Sequence, residues 1–231
     1  MNVFADNPWF KALPPAEAEA LLAATTPRHL AAGEFLYQQG DAVNASTGGF
    51  FGLVSGLLKL CVLHPDGNEA ILTIIEPGNW IGEVAVLEGA PRTNTAIAAI
   101  DTDVLVVSPD KFSQLMQRPA FSQAVARLLA MRVRLASGLV GDSVLQSTHE
   151  RIVRRLVLLA HGDMTESTEL RSVISTSQDT LAMMLGISRP TLSKELQVLV
   201  KQGAIAVRYG RIEILDMALL QQSAQVSSRK A

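Results

Sequence analysis

The sequence predicts an α+β protein, in which an N-terminal antiparallel barrel or roll is joined by one long helix to a smaller C-terminal domain. Three observations support this prediction. Short β-prone runs separated by glycine-containing turns fill residues 28–107, and an apolar pattern of helical period follows over residues 119–146. Two capped helices and a short hairpin are then indicated within residues 147–231. A chain of 231 residues is long enough for two ordinary domains.

The composition excludes several classes of protein. Apolar residues make up 48% of the chain, yet no apolar run reaches the roughly 18 residues that a membrane span needs. The first ten residues lack the basic start and apolar core of a signal peptide. The single cysteine, Cys61, excludes an internal disulfide framework and a cluster held by several thiolates. We therefore expect a cytoplasmic protein.

The charge is distributed unevenly along the chain. Residues 1–149 carry nine lysines and arginines against fourteen aspartates and glutamates, whereas residues 150–231 carry eleven against eight. This asymmetry suits a protein whose C-terminal part alone contacts a polyanion.

The β-prone runs indicate an antiparallel barrel or roll rather than β-α-β units. No long helical pattern separates one run from the next, and the Asp66-Gly67 pair between two apolar runs predicts a hairpin turn. A short helix that starts at Pro15 is expected before them. The predicted strands are residues 34–38, 50–54, 57–63, 70–75, 95–100 and 104–107.

The long helix carries two apolar stripes. A helix with two apolar faces needs two partners, so one face is expected to cover the roll and the other to meet the same helix of a second chain. A single helix buried in the core of a monomer is the alternative. The first stripe contains Phe121, Val125, Leu128, Leu135 and Leu139, and the second contains Leu129, Val133, Ala136, Val140 and Val144.

Residues 177–203 have the pattern of a helix-turn-helix. Ser177 is a favourable N-cap for a first helix that ends at Gly186. Ser188 caps a second helix, with Pro190 in its first turn, where a missing N–H group costs nothing. The predicted buried face of this helix is Leu192, Leu196 and Leu199. The residues expected to point outward from the end that enters a major groove are Arg189, Thr191, Ser193 and Lys194.

Two alternating strands, residues 205–207 and 212–214, follow as a wing. Arg208 and Arg211 flank the turn between them, and basic residues at a hairpin tip suit phosphate contacts. An ordinary helical hairpin with solvated charges is the alternative. The succession of cap, turn glycine, second cap and basic hairpin favours binding of double-stranded DNA.

Residues 10–216 resemble the Crp/Fnr family of transcription regulators. The resemblance rests on the helix-turn-helix and wing residues given above and on three segments of the roll. Residues 33–41 and 67–73 match the cyclic-nucleotide-binding roll of that family, and residues 81–93 are similar to its phosphate-binding cassette. The resemblance implies a β-roll sensor domain, a dimerisation helix and a winged helix-turn-helix. The corresponding ranges are 1–118, 119–146 and 147–231.

The resemblance also implies a ligand site in the roll. Gly82 would let a phosphate approach the backbone, and Arg92 and Thr93 would bind that phosphate. Glu83 would accept a hydrogen bond from a ribose 2′-OH, and Ser137 on the long helix matches a further contact to the nucleotide. The implied effector is cyclic AMP or a related cyclic nucleotide.

For the C-terminal domain, the resemblance implies that a homodimer binds an inverted repeat in double-stranded DNA, with RNA polymerase as a further partner. The implied DNA-binding residues are Ser177, Gln178, Ser188, Arg189, Thr191, Ser193, Lys194, Arg208 and Arg211.

Three residues depart from the family pattern. Ala136 stands where nucleotide-sensing members carry a threonine that touches the purine, and Asn94 is larger than the alanine often found there. Pro190 replaces the acidic residue that reads cytosine in the best-known members, so a different DNA sequence is expected.

An enzyme on a cupin-like roll is not expected, because the sequence offers no His/Glu metal cluster and no nucleophile–base pair. Its histidines lack the spacing of metal ligands, so no metal site is expected. Two alternatives stay open. One is a cyclic-nucleotide-binding module whose C-terminal domain binds protein. The other is a ligand-independent regulator with a vestigial pocket, in which Glu83 and Arg92 pair with each other.

Overall fold

A computed structural model describes residues 3–45, 47–63, 66, 69–162 and 170–227. Residues 225–227 are described by their backbone alone. The chain divides between Arg132 and Val133 into two compact units. Helix α5 (Pro119–Leu145) begins in the first unit and ends in the second, so the predicted long helix is confirmed. The predicted domain limits after residues 118 and 146 stay a prediction.

Eight strands of the first unit form two antiparallel sheets. They are β1 (Thr25–Leu30), β2 (Phe35–Tyr37), β3 (Phe50–Ser55), β4 (Leu58–Leu63), β5 (Glu69–Ile75), β6 (Trp80–Ile81), β7 (Thr95–Ala98) and β8 (Thr102–Val107). The strand orders are β1-β8-β3-β6 and β2-β7-β4-β5, and consecutive strands mostly belong to different sheets. This arrangement confirms the antiparallel roll.

Helices and aromatic side chains close one side of the roll. The helical segments are a 3-10 helix (Val3–Asp6), α1 (Pro8–Lys11), α2 (Pro15–Ala23), α3 (Glu83–Glu88) and α4 (Pro109–Met116). Trp80 stacks on Phe50 with ring centroids 5.1 Å apart, and the indole of Trp9 donates a hydrogen bond of 2.8 Å to the carbonyl of Ala124 in α5. The α5 residues buried in this core are Phe121, Ala124, Val125 and Leu128, so the N-terminal part of the first stripe covers the roll.

Apart from shifts of a single residue, the strand pattern differs from the prediction at four places. One of them is the start of β8 at Thr102, two residues before the predicted start. Strand β1 was not predicted, because Pro27 interrupts its β-prone pattern; β1 lies at a sheet edge, where a proline is tolerated. The two-residue strand β6 is too short to give a periodic signal. Strand β7 ends at Ala98, two residues before the predicted end. The antiparallel pairing of β4 with β5 confirms the predicted hairpin, but Gly67 of its turn lies outside the described residues.

Within its described residues, the second unit contains four further helices and a three-stranded sheet. Its elements are α6 (Thr148–Ala160), β9 (Val173–Ile174), α7 (Gln178–Leu185), α8 (Arg189–Lys201), β10 (Ile205–Arg208), β11 (Arg211–Ile214) and α9 (Met217–Ser227). The strand order β10-β11-β9 confirms the wing and adds β9. Helix α9, which was not predicted, packs on α6. The predicted buried leucines of α8, Leu192, Leu196 and Leu199, are at most 1% exposed.

Helix α6 begins with a capping box. The hydroxyl of Ser147 accepts a hydrogen bond of 3.3 Å from the backbone N–H of Glu150, and the carboxylate of Glu150 accepts one of 2.7 Å from the N–H of Ser147. Two N–H groups at the start of the helix are thereby satisfied.

We expect Ser147→Ala to lower the free energy of unfolding by about 1 kcal/mol, because it removes one acceptor at the start of α6. Ser147→Asp keeps an acceptor at the same place and should stay close to the wild type. Urea unfolding followed by circular dichroism measures both variants. Equal stabilities for the two variants would contradict the role of the cap.

Candidate ligand and DNA-binding sites

Gly82 sets the shape of the cassette at the start of α3. Its φ of 97° lies in the left-handed region, which favours glycine. A Cβ atom at this position would lie 2.6 Å from the carbonyl oxygen of Gly49, so no larger residue fits without a shift of the backbone. The sequence therefore needs glycine here for a close approach between two backbone segments.

Arg92 is buried and binds backbone carbonyls. Its Nη1 donates to the carbonyl oxygen of Gly82 at 3.0 Å, and its Nη2 donates to the carbonyl oxygens of Gly48 and Gly49 at 2.9 and 3.2 Å. The alternative in which Arg92 pairs with Glu83 is therefore wrong for this structure. The guanidinium instead ties the cassette to the loop before β3.

Two aromatic rings complete the surroundings of Arg92. Its guanidinium carbon lies 4.4 Å from the centre of the Tyr37 ring and 5.2 Å from that of Phe51, within the range of cation–π attraction. Burial lowers the pKa of Arg92, although a guanidinium stays protonated at neutral pH. Burial also raises the pKa of Tyr37, which stays neutral. Neither ring was predicted as part of the site.

Glu83 forms a buried ion pair with Arg132 of α5. Oε1 of Glu83 accepts from Nη1 of Arg132, whose Nη2 donates to the carbonyl oxygen of Trp80. Glu83 is only 1% exposed. Arg132 was missed as a site residue, and the signal that could have found it is a cation interrupting an apolar stripe.

In the part of the chain that the structure describes, three buried atoms of the charged side chains around the cassette have no hydrogen-bond partner. They are Oε2 of Glu83, Nε of Arg92 and Nε of Arg132. The set offers one acceptor and two charged donors. It suits a ligand that carries both an anion and a hydroxyl group.

The remaining two residues of the predicted ligand site are exposed. Thr93 follows Arg92, and its hydroxyl accepts a hydrogen bond of 3.4 Å from the amide of Asn94. Ser137 is on α5 in the second unit. The structure thus groups Gly82, Glu83 and Arg92 within the first unit.

The helix-turn-helix has the predicted caps. The hydroxyl of Ser177 accepts from the N–H of Thr180 at 3.0 Å, and that of Ser188 accepts from the N–H of Thr191 at 3.3 Å. Gly186 ends α7 in the left-handed conformation. Both helix starts and the turn between them are therefore confirmed.

The N-terminal half of α8 presents its polar side chains away from the leucine face. Arg189, Thr191 and Lys194 are exposed, and Ser193 is half-buried. At the two caps and the start of α7, Ser177 and Ser188 are exposed and Gln178 is half-buried. Nη1 of Arg189 lies 3.4 Å from Oδ2 of Asp179, an acid of α7.

The arginines of the wing share one acid. Arg208 and Arg211 face each other across β10 and β11, and the side chains of both are more than half exposed. Their Nε atoms lie 3.7 and 3.0 Å from the carboxylate of Glu213. Neither Glu213 nor Asp179 was singled out from the sequence.

No three His, Cys, Asp or Glu side chains come together in a potential metal site among the residues that the structure describes. None of the helices within the described ranges combines the length and apolar composition that a membrane span requires.

Comparison with known families matches two separate parts of the chain. Residues 27–119 match the cyclic nucleotide-binding domain, and residues 150–223 match the Crp-like helix-turn-helix domain. The chain belongs to the Crp/Fnr family. This confirms the resemblance on which the sequence analysis relied.

Members of the Crp/Fnr family are similar to this chain over nearly its whole length. The cyclic AMP receptor protein of Thermus thermophilus is 27% identical over 94% of this chain and 97% of its own. A CRP-like cAMP-activated global transcriptional regulator of Mycobacterium tuberculosis is 28% identical over 94% of this chain and 96% of its own. These relatives are transcriptional regulators and not enzymes, so the chain is a DNA-binding transcription regulator of this family rather than an enzyme.

Solved structures of the family show the same fold. The Thermus thermophilus catabolite activator protein aligns with a TM-score of 0.53 and 28% identity, covering 95% of this chain and 99% of that protein. A CRP-family transcriptional regulator of the same organism aligns with a TM-score of 0.66 and 29% identity, covering 86% and 96%.

Proposed function

We propose that this regulator is a homodimer that binds an inverted repeat in DNA, and that a cyclic nucleotide in the roll controls this binding. The observation that carries the proposal is the polar face at the start of α8. Arg189, Thr191 and Lys194 are exposed there, while Leu192 of the same turn is buried. Such a face fits a major groove, in which arginine and lysine bind O6 and N7 of guanine.

The exposure of α5 supports a dimer through the second stripe. Val133, Val140 and Val144 are 65%, 64% and 76% exposed, whereas Leu135 and Leu139 of the first stripe are half-buried. Exposed valines repeated at this spacing suit a parallel helix–helix interface. We therefore assign the interface to the second stripe.

The buried polar atoms of the cassette support a cyclic nucleotide as ligand. A cyclic phosphate would give Nε of Arg92 or Arg132 an anionic acceptor, and a ribose hydroxyl would give Oε2 of Glu83 a donor. The cassette is also bound to α5 through Arg132. A ligand that changes the hydrogen bonds of Glu83 therefore acts on the helix that continues into the second unit. Thr93 and Ser137 are proposed as further contacts.

One observation favours a second candidate, a ligand-independent regulator with a vestigial pocket. Both terminal nitrogens of Arg92 already have carbonyl acceptors at hydrogen-bond distance. A ligand phosphate is therefore left with Nε of Arg92, unless it displaces one of these carbonyls. A cytoplasmic location and contact with RNA polymerase complete the proposal, and both rest on the family membership.

We expect Val140→Glu to convert the dimer into a monomer at micromolar concentration, because it places an unpaired charge in the helix–helix interface. Gln123→Glu, which adds the same charge on an exposed face of α5 away from both stripes, should stay dimeric. Light scattering measures both masses. A monomeric wild type, or a dimeric Val140→Glu variant, would contradict the assigned interface.

We expect Arg92→Ala to abolish the binding of cyclic AMP up to about 1 mM, because it removes the charged donor for the phosphate. Thr93→Val should weaken binding about fivefold through the loss of one hydrogen bond. Arg127→Ala, which removes an exposed arginine of α5, serves as the control. Isothermal titration with cyclic AMP, cyclic GMP and cyclic di-GMP measures all four proteins. A wild type that gives no heat with any of them would favour the ligand-independent regulator.

We expect Arg189→Ala to weaken the free energy of DNA binding by roughly 1–3 kcal/mol per half-site and to relax the sequence preference at one base pair. Arg211→Ala should weaken the binding of all sequences about equally and make the salt dependence shallower, because it removes a phosphate contact. Selection from random DNA should give half-sites whose centres lie about 34 Å apart. If Arg189→Ala left the selected motif unchanged while Arg211→Ala altered it, the assignment of α8 to the major groove would be wrong.

A further inference from the structure

Asp179 is the acid closest to the side chain that we assign to base reading. It is the second residue of α7, after the Ser177 cap, and Arg189 is the first residue of α8, after the Ser188 cap. Nη1 of Arg189 lies 3.4 Å from Oδ2 of Asp179, although the two side chains are 64% and 61% exposed. The pair therefore lies at the surface and joins the first turns of the two helices.

We infer that Asp179 is a positioning residue that determines DNA specificity by orienting Arg189. The inference rests on the proposed role of α8 in the major groove. A guanidinium has two edges that can donate two parallel hydrogen bonds. A carboxylate at Nη1 leaves the edge formed by Nε and Nη2 free, and that edge matches O6 and N7 of one guanine.

The acid beside Arg189 lies on a different helix from the arginine. The first turn of α8 contains no acidic residue and has Pro190 where the best-known relatives carry an acid. The first turn of α7 supplies Asp179 instead. The negative charge beside Arg189 thus comes from Asp179 of the neighbouring helix α7, and it contacts the arginine rather than a base.

A carboxylate at this place also acts against unspecific binding. The first helix of such a motif crosses the DNA backbone, so Asp179 repels phosphates there. It also competes with phosphate oxygens for Arg189 and so reduces the attraction of this arginine to any sequence. Orientation favours the correct guanine and so increases the ratio between specific and unspecific binding, whereas repulsion weakens the binding to every sequence.

The test compares two duplexes. The first is the preferred duplex that the full-length wild type selects from random DNA, and the second carries A·T in place of G·C at the base pair whose preference Arg189→Ala relaxes. Discrimination is the ratio of the two dissociation constants. We expect Asp179→Asn to lower it about threefold to fivefold, the scale of an exposed ion pair, and to tighten binding to the second duplex.

Glu213→Gln is the matched control, because Glu213 is also an acid beside DNA-facing arginines. It should change the affinity for both duplexes by the same factor and leave their ratio unchanged. In the Arg189→Ala background, Asp179→Asn should no longer change the ratio. This double-mutant cycle separates positioning of Arg189 from a general effect of charge.

Two results would overturn the inference while leaving the proposed DNA binding intact: an unchanged ratio in Asp179→Asn, or an equal loss with and without Arg189. A wild type that selects no preferred duplex would overturn the proposed function and this inference together. Circular dichroism of each variant checks that the near-isosteric replacement keeps the fold.

Discussion

The first unit depends on how three charged side chains are kept inside the roll. Removing a charge from water is costly unless hydrogen bonds and an opposite charge compensate for it. Arg92 finds this compensation in three backbone carbonyls and two aromatic rings, and Glu83 finds it in Arg132. Because each contact joins a different segment, the loop before β3, the cassette and the middle of α5 are held in one arrangement. The left-handed Gly82 is part of the same constraint, since any side chain there would separate two of these segments.

This compensation also limits what the roll can bind. A neutral ligand that approached the terminal nitrogens of Arg92 would replace their carbonyl acceptors by groups that are no better. An anion forms shorter and stronger hydrogen bonds with a guanidinium than a carbonyl does, so only a charged ligand gains from the exchange. The hydrogen bond that Glu83 can still accept through Oε2 adds a requirement for a donor on the same ligand. An anion with a nearby hydroxyl meets both conditions, whereas a simple inorganic anion meets one.

The sequence predicted the elements whose signals are local and missed the contacts that are not. Ser177 and Ser188 are N-cap residues that each bond a backbone N–H three residues later, and the leucines of α8 repeat with the helical period. Both signals are local, so the helix-turn-helix was predicted almost to the residue. The partner of Glu83 could not be predicted, because it lies on a helix far along the chain and the pairing depends on how α5 packs on the roll. Strand β1 was missed because Pro27 opposes a strand locally, whereas its position at a sheet edge, which makes the proline harmless, is a property of the fold.

Acidic residues beside the arginines that we propose to face DNA have a common physical consequence. A surface that carried only arginines would gain affinity for every sequence through the release of counterions. Glu213 faces Arg208 and Arg211, and Asp179 faces Arg189, so part of each positive charge is balanced before DNA arrives. The balanced arginine gains less from phosphates than a free one, but it keeps the hydrogen-bonding edge that a base can use. Affinity that depends on base contacts is therefore retained while affinity that depends on charge alone is reduced, and the difference between the two is what a regulator needs in order to find a small number of sites among many.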